Sequence, residues 1–110
     1  MTVHLMNSVM CPQEGTYIVR KIRRKDFTDL LKSAYQQGKL KSYIGYPQNI
    51  ELIKAWTGIT VPLNRGQAIL KDGDYILAIR LKYRPQNPAS KGDQVDEREF
   101  EFYFVQYTEV

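Results

Sequence analysis

The sequence feature that most constrains the fold is an alternating segment from Tyr75 to Tyr83. Its odd-numbered side chains form one face and are all apolar or aromatic: Tyr75, Leu77, Ile79, Leu81 and Tyr83. The opposite face starts with apolar residues and becomes basic, in the order Ile76, Ala78, Arg80, Lys82 and Arg84. Because successive side chains of a strand point to opposite faces, the segment predicts a strand that begins in a core and ends at a basic surface.

The rest of the chain predicts two helices and four more strands. Apolar residues repeat at helical spacing from Phe27 to Tyr35, behind a predicted N-cap at Asp26 and before a predicted stop at Gly38. A second helix is predicted from Pro47 to Trp56, ended by Gly58. The other predicted segments are strands at Val3 to Met10, Thr16 to Ile22, Arg65 to Leu70 and Glu99 to Tyr107, and a connector at Lys39 to Tyr43. The predicted fold class is α/β, with residues 1–110 forming a single domain in which helices flank a mixed, mostly antiparallel sheet of about five strands.

Composition limits the class of protein and its location. The chain has 110 residues, of which 43% are apolar, and this is enough for one core. No apolar run approaches the roughly 20 residues of a membrane span, and the N-terminus does not have the pattern of a signal peptide. Cys11 is the only cysteine, which excludes an internal disulfide and fits a reducing cytoplasm. The net charge of +4 is compatible with an anionic ligand.

A phosphate-binding corner is predicted where the second helix begins. Gly45 tolerates backbone angles that other residues avoid, and Pro47 suits the first turn of a helix, so the helix opens at Tyr46. A helix N-terminus carries a positive partial charge and unpaired amide groups, which attract anions. Arg65 follows on a loop, and guanidinium groups bind phosphates through paired hydrogen bonds. The basic end of the alternating strand supplies further candidates, Arg80, Lys82 and Arg84.

Other candidate residues have a structural interpretation beside the functional one. Tyr43, Tyr46 and Tyr83 can stack on bases, although Tyr83 lies on the apolar face of its strand. The basic run from Arg20 to Lys25 is either a nucleic-acid patch or a solvated connection between a strand and a helix. His4, the only histidine, is expected to be a packed or edge residue, since nothing near it in the sequence supplies an orienting partner.

No metal-binding or nucleophilic motif is found in the sequence. One histidine and one cysteine cannot build a metal site without carboxylates, and no carboxylate cluster has ligand spacing. A Ser-His-Asp arrangement and a nucleophile elbow are also missing. We therefore expect a protein that uses neither a metal nor a cofactor.

Several segments, taken in order, resemble the viral type III anti-CRISPR ring nucleases, small proteins of archaeal viruses, phages and mobile elements. They are Asn7-Ser8, Ser42-Tyr43-Ile44-Gly45, Thr57-Gly58, Val61-Pro62-Leu63-Asn64-Arg65, Gly73-Asp74 and Leu81-Lys82-Tyr83-Arg84. The resemblance implies a homodimer in the cytoplasm of the infected host, with a cleft at its two-fold axis that binds cyclic tetra-adenylate, the second messenger of type III CRISPR defence. In that family a ribose 2′-hydroxyl attacks the adjacent phosphate without a metal, and a histidine after the S-x-I-G glycine protonates the leaving oxygen.

The resemblance also implies a set of ligand-binding residues. Two positions depart from the family, because Tyr46 stands where the family has its catalytic histidine and Asn87 falls about where it has a glutamate. Asn7 and Ser8 match a polar contact at the end of the first strand, and Ile44 and Gly45 belong to the S-x-I-G segment. The ligand-binding set implied is Asn7, Ser8, Ile44, Gly45, Tyr46, Asn64, Arg65, Arg84 and Asn87.

The residue at position 46 separates the functional hypotheses. Tyrosine has a reference pKa of about 10, against about 6.5 for histidine, and is a poor general acid at neutral pH. The first hypothesis is a protein that sequesters the cyclic nucleotide, with cleavage lost or slow. The second is an active metal-free ring nuclease in which Tyr46 donates the proton and the linear products carry a 2′,3′-cyclic phosphate. The third is a viral protein that binds duplex nucleic acid through Arg20 to Lys25. The changed residue also leaves open a different messenger, such as another cyclic oligonucleotide or an ADP-ribose-derived signal.

Overall fold

The computed structural model describes residues 1–8, 10–81 and 100–110, with only the backbone described at position 81. Within these ranges the chain forms five strands and two helices. In chain order they are β1 (Val3–Met6), β2 (Thr16–Ile22), α1 (Arg24–Gln36), β3 (Leu40–Tyr43), α2 (Pro47–Thr57), β4 (Tyr75–Leu81) and β5 (Phe100–Thr108). Neither of the helices in these ranges has the length and apolar character needed to cross a membrane.

The five strands form one mixed sheet in the order β2-β5-β4-β1-β3. Strand β1 lies between β3 and β4 and is parallel to both, with Val3 opposite Leu40 on one side and Tyr75 on the other. Strand β5 is antiparallel to both β4 and β2, and each of these pairings is longer than the parallel ones. The prediction of an α/β fold with a mixed, mostly antiparallel sheet is therefore confirmed.

Both helices pack on one face of the sheet, because their apolar stripes and that face are buried together. Trp56 of α2 closes this cluster, with its ring edge-on to Phe100 and Phe102 at centroid distances of 5.6 and 5.5 Å. The buried members are Leu5, Phe27, Leu31, Ile44, Ile53, Val61, Leu77, Ile79, Phe100 and Phe102. As predicted, the aromatic residues at 100, 102 and 104 face the same way, toward these helices.

The opposite face of the sheet is covered by an irregular segment rather than by a helix. Ala68 and Leu70 of this segment pack on Met6, Ile76, Ala78, Val105 and Tyr107. The segment was predicted as a strand from Arg65 to Leu70, and that prediction is wrong. The Gln13 side chain takes the place of a strand partner, because it accepts from the Leu70 N–H at 2.8 Å and donates to the Leu70 carbonyl at 2.7 Å.

The connector predicted at Lys39 to Tyr43 is also wrong, since Leu40–Tyr43 forms the edge strand β3. A segment of four residues that includes Lys41 and Ser42 is too short and too polar to show the alternation typical of a strand. Their backbone is ordered by pairing with β1 over its whole length. The prediction for β1 was too long, because the strand ends at Met6 instead of Met10.

The predicted helix boundaries need one correction. Helix α1 begins earlier than predicted, and Asp26 is not its N-cap but its third residue, where it accepts a hydrogen bond from the Arg23 N–H at 3.3 Å. Helix α2 begins at Pro47 as predicted and ends at Thr57. Gly58 follows with a φ of 77°, the left-handed conformation that glycine adopts without strain.

Candidate functional site

A pocket of about 230 Å³ lies at the carboxyl ends of the parallel strands β1 and β3. Parallel strands and their helices characteristically place ligand sites at this end of a sheet. Its lining residues are Met6, Asn7, Ser8, Met10, Pro12, Tyr43, Tyr46, Gly66, Gln67 and Ala68. The structure thus brings together three of the predicted site residues, Asn7, Ser8 and Tyr46, although they lie almost forty positions apart in the sequence.

Asn7 connects the three elements that meet at the pocket. Its side-chain Nδ2 donates to the Tyr43 carbonyl at 3.5 Å, at the end of β3. Its Oδ1 accepts from Nδ2 of Asn49 at 3.2 Å, in the first turn of α2. Ser8, the next residue, lines the pocket and makes no hydrogen bond within the described residues, which leaves its hydroxyl group available to a ligand.

Arg65 lies beside the pocket and is held by the S-x-I-G segment. Its Nε donates to the Gly45 carbonyl at 3.0 Å. A Cβ at position 45 would lie 3.2 Å from Cγ of Arg65 and 3.7 Å from Nδ2 of Asn7, so glycine permits this close packing. Arg65 is exposed, and in the described part of the chain its terminal guanidinium nitrogens have no partner. They can therefore form the paired hydrogen bonds that a phosphate accepts.

Two predicted ligand-binding residues, Ile44 and Asn64, serve to brace the site. Ile44 is fully buried in the helix-side cluster, and its N–H and carbonyl bond to the Ser42 hydroxyl and the Asn64 N–H. Asn64 donates from Nδ2 to the Ser42 carbonyl at 3.1 Å and accepts at Oδ1 from the Gly66 N–H at 2.8 Å. These bonds fix the loop that carries Arg65 against the end of β3, and neither side chain lines the pocket.

Tyr46 stands at the N-cap of α2 and is 54% exposed. Its side chain makes no capping hydrogen bond, whereas its carbonyl accepts from the Asn49 N–H at 3.1 Å. The usual cap residues satisfy the free amide groups with a side-chain oxygen, and a tyrosine does not. Pro47 has no N–H, and the Ile50 N–H also donates to the Tyr46 carbonyl, so among the described residues the Gln48 N–H is the first-turn backbone donor left for a ligand.

The remaining predicted site residues, Arg84 and Asn87, lie outside the residues that the structure describes, as do Lys82 and Tyr83. Their roles stay predictions. The basic run at positions 20–25 is partly neutralised: Lys21 pairs with Glu101 at 2.9 Å, and Arg23 pairs with Asp26 at 3.3 Å. These ion pairs fit the interpretation of a solvated connection between β2 and α1.

The sequence analysis missed a buried pair behind the pocket. His4 was expected to have no orienting partner, but its Nε2 lies 2.9 Å from Oδ2 of Asp74, and the two residues are 2% and 4% exposed. Asp74 also accepts from the backbone N–H groups of Thr2 and Lys71, both at 2.9 Å. The parallel register of Val3 with Tyr75 is the signal that could have found the pair, because it brings position 74 to the start of β1.

The buried pair of His4 and Asp74 is expected to make the free energy of unfolding depend on pH in the acidic range. Burial raises the pKa of Asp74, but hydrogen bonds from Thr2, His4 and Lys71 outweigh it and hold the pKa below the ordinary value of 3.8. A carboxyl group whose pKa is lower in the folded state stabilises that state fully at any pH above its pKa in the unfolded state. This stabilisation is lost as the pH falls through the pKa of the folded state. We expect the free energy of unfolding of the wild type to drop below about pH 4, and that of Asp74→Asn to drop less.

Chemical denaturation between pH 7 and pH 2 measures this difference. Lys21 also lowers the pKa of Glu101, chiefly through its side-chain hydrogen bond, so Glu101→Gln is the matched control. That variant should keep the loss of stability that depends on Asp74. Parallel pH profiles of the wild type and Asp74→Asn would contradict the prediction.

Comparisons with known proteins agree with this architecture. The model of a family described as STIV B116-like matches residues 3–108. Among the solved structures that match is B116 of Sulfolobus turreted icosahedral virus, with a TM-score of 0.79. It is 24% identical to this chain, and the alignment covers 96% of this chain and 98% of that chain, so the likeness is one of fold. No curated protein sequence matches the chain.

Proposed function

This chain belongs to the STIV B116-like family, and from that premise we propose that it is a viral anti-defence protein that sequesters a cyclic oligonucleotide. The ligand proposed first is cyclic tetra-adenylate, bound in the cleft of a homodimer and cleaved slowly or not at all. The observation that carries the proposal is the exposed Tyr46 at the open N-terminus of α2, with Arg65 anchored beside it. The groups that hold a phosphate are present, and a tyrosine stands where the resemblance implies the proton donor.

The lining of the pocket suits one nucleotide unit. Tyr43 and Tyr46 offer aromatic rings for a base, and base–aromatic stacking contributes about 1–3 kcal/mol per base. Asn7 and Ser8 offer polar atoms at the rim. The pocket volume of about 230 Å³ is too small for a ring of four nucleotides, so one protomer would hold only part of the ligand.

A second copy of the chain would complete the site. Two large apolar side chains of the lining are exposed, Met10 by 53% and Tyr46 by 54%, and so is Ile69, the residue after the lining residue Ala68, by 76%. A two-fold axis through this surface would bury them and present each binding group twice. The four-fold ring of cyclic tetra-adenylate contains such a two-fold axis. Arg84 and Asn87 belong to the proposed ligand set through the resemblance alone.

Loss of the proton donor is the reason to propose capture over cleavage. A general acid contributes typically about 10²- to 10⁴-fold to a rate, and the phenol of tyrosine, with a reference pKa of about 10, gives up its proton reluctantly at neutral pH. The Tyr46 hydroxyl can still donate a hydrogen bond to a phosphate oxygen. The residual reaction would then depend on the alignment of the 2′-hydroxyl with the phosphate.

The fate of the ligand tests the proposal. The purified protein is mixed with an equal amount or a hundredfold excess of cyclic tetra-adenylate, and unbound nucleotide is removed by gel filtration. The protein fraction and the unbound fraction are then heat-denatured, and the nucleotide in each is identified by chromatography. We expect retained ligand that is released intact. Linear products at excess would establish the nuclease hypothesis instead, and ligand that is neither retained nor cut would overturn the choice of cyclic tetra-adenylate.

A further inference from the structure

The buried histidine is positioned to act on the pocket through one aromatic ring. The rings of His4 and Tyr43 are stacked, with centroids 5.7 Å apart and planes inclined by 29°. His4 is buried and does not line the pocket, whereas Tyr43 is half-buried and does. One side of Tyr43 thus contacts the histidine, and the residue also borders the space proposed for a base.

In the described part of the chain, His4 has a buried ring nitrogen without a hydrogen-bond partner, which a residue that served only to fill space would not need. Among the described residues its Nδ1 is buried and has no hydrogen-bond partner, and burying such an atom carries an uncompensated desolvation cost. Its Nε2 is fixed by Asp74, whose carboxylate is itself held by two backbone amide groups. The bond to Asp74 therefore fixes both the position and the orientation of the imidazole ring. An apolar side chain at position 4 could not form this bond.

The two tyrosines of the pocket differ in how firmly they are held. Tyr46 is more than half exposed and its side chain makes no capping bond, while Tyr43 lies in β3, stacks on His4 and has its carbonyl bonded by Asn7. A stacking platform performs best when its orientation is fixed before the ligand arrives. Of the two rings, Tyr43 meets that requirement.

We propose that His4, oriented by Asp74, is a positioning residue that fixes the ring of Tyr43 as the platform on which a base of the ligand stacks. The inference rests on the proposed function for the identity of the ligand. It assigns base recognition to Tyr43, and it leaves Tyr46 and Arg65 to the phosphate.

Two variants of His4 separate positioning from mere support of the fold. His4→Phe keeps an aromatic ring for Tyr43 and loses the bond to Asp74, whereas His4→Gln keeps an N–H donor for Asp74 and loses the ring. We expect His4→Gln to be the more stable of the two in thermal unfolding. We expect it to be the weaker binder in calorimetric titration, by about three- to tenfold, the range of an aromatic pair. Affinities that follow the order of the stabilities would overturn the proposal.

The same titrations in a Tyr43→Leu background show whether His4 acts through Tyr43. There the two His4 variants should bind equally, and a persisting difference would overturn the proposal. If the wild type does not bind cyclic tetra-adenylate, the choice of that ligand fails by itself, and the affinities of the variants are compared with adenosine 5′-monophosphate as the probe. Equal affinities for that probe would then overturn the inference.

A ligand-free measurement tests the stacking independently. His4 is the only histidine of the chain, so its ring protons give unambiguous signals in nuclear magnetic resonance. Tyr43→Leu should shift these signals, because it removes the ring current of the tyrosine, and Tyr46→Leu should not. Unchanged signals in Tyr43→Leu would overturn the proposal whatever the ligand is.

Discussion

Replacing Arg65 with alanine is expected to weaken the binding of cyclic tetra-adenylate by about 10²- to 10⁴-fold, since hydrogen bonds to charged groups are worth about 1.5–3 kcal/mol each and a homodimer would lose at least two of them. Arg65 is fixed through its Nε by the Gly45 carbonyl, which aims the guanidinium without using its terminal nitrogens. A homodimer would place two such groups on one ring, so the substitution removes both. Isothermal titration of the wild type and the variant measures the loss.

The control must change the net charge equally at a place remote from the pocket. Arg23→Ala meets this condition, because Arg23 lies at the start of α1 and makes an exposed ion pair with Asp26. It should leave the affinity for the cyclic nucleotide nearly unchanged at physiological salt. An equal loss in both variants would indicate a general electrostatic attraction instead of a phosphate contact at Arg65.

The second large effect is a gain of activity. Tyr46→His is expected to raise the rate of cyclic tetra-adenylate cleavage by about 10²- to 10⁴-fold, the usual contribution of a positioned general acid. The backbone at position 46 is extended, with φ of −120° and ψ of 121°, and the side chain is exposed, so the histidine can be accommodated without strain. Single-turnover cleavage followed by chromatography gives the rate.

Tyr46→Phe completes the comparison, because it removes only the hydroxyl group. If capture is the function, this variant should bind cyclic tetra-adenylate nearly as well as the wild type and should cleave it equally slowly. A fall in the wild-type cleavage rate on Tyr46→Phe would identify the phenol as a proton donor and favour the nuclease hypothesis. Failure of Tyr46→His to cleave, with binding retained, would show that the in-line geometry has been lost as well.

The parts of the fold that were predicted from the sequence are those whose burial pattern is strong. Tyr75–Leu81 and Phe100–Thr108 carry continuous alternation, and both form the long antiparallel strands of the sheet. Helix α2 was predicted from local sequence signals, namely Pro47 in the first turn and Gly58 in the left-handed cap. Such signals do not depend on which other part of the chain lies nearby.

The elements that were missed depend on contacts between distant segments. Strand β3 has little pattern of its own and exists because β1 pairs with it. The 65–70 segment was mistaken for a strand because it ends in consecutive apolar residues, but only Ala68 and Leu70 are buried, and the Gln13 side chain supplies the hydrogen bonds of Leu70. The pair of His4 and Asp74 joins residues 70 positions apart, and no local rule connects them.

The candidate site shows the same division. The family resemblance implied Asn7, Ser8 and Tyr46 as ligand-binding residues, and the structure places all three around one pocket. The individual roles could not be predicted, because they depend on which polar atoms are already used inside the protein. The side-chain amide of Asn64 is already hydrogen-bonded to Ser42 and Gly66. In Arg65, the next residue, only Nε is bonded within the described part of the chain, so the terminal guanidinium nitrogens can bind a ligand.

The position of β1 between β3 and β4 in the sheet has a consequence for biosynthesis. This strand consists of residues 3–6 and is translated before both of its partners, since it pairs on one side with residues 40–43 and on the other with residues 75–78. A nascent chain must therefore wait for β4 to leave the ribosome before its first strand is paired on both sides. Contacts this distant in sequence slow folding. We expect the protein to acquire its structure after most of the chain has been released, rather than in stepwise fashion during translation.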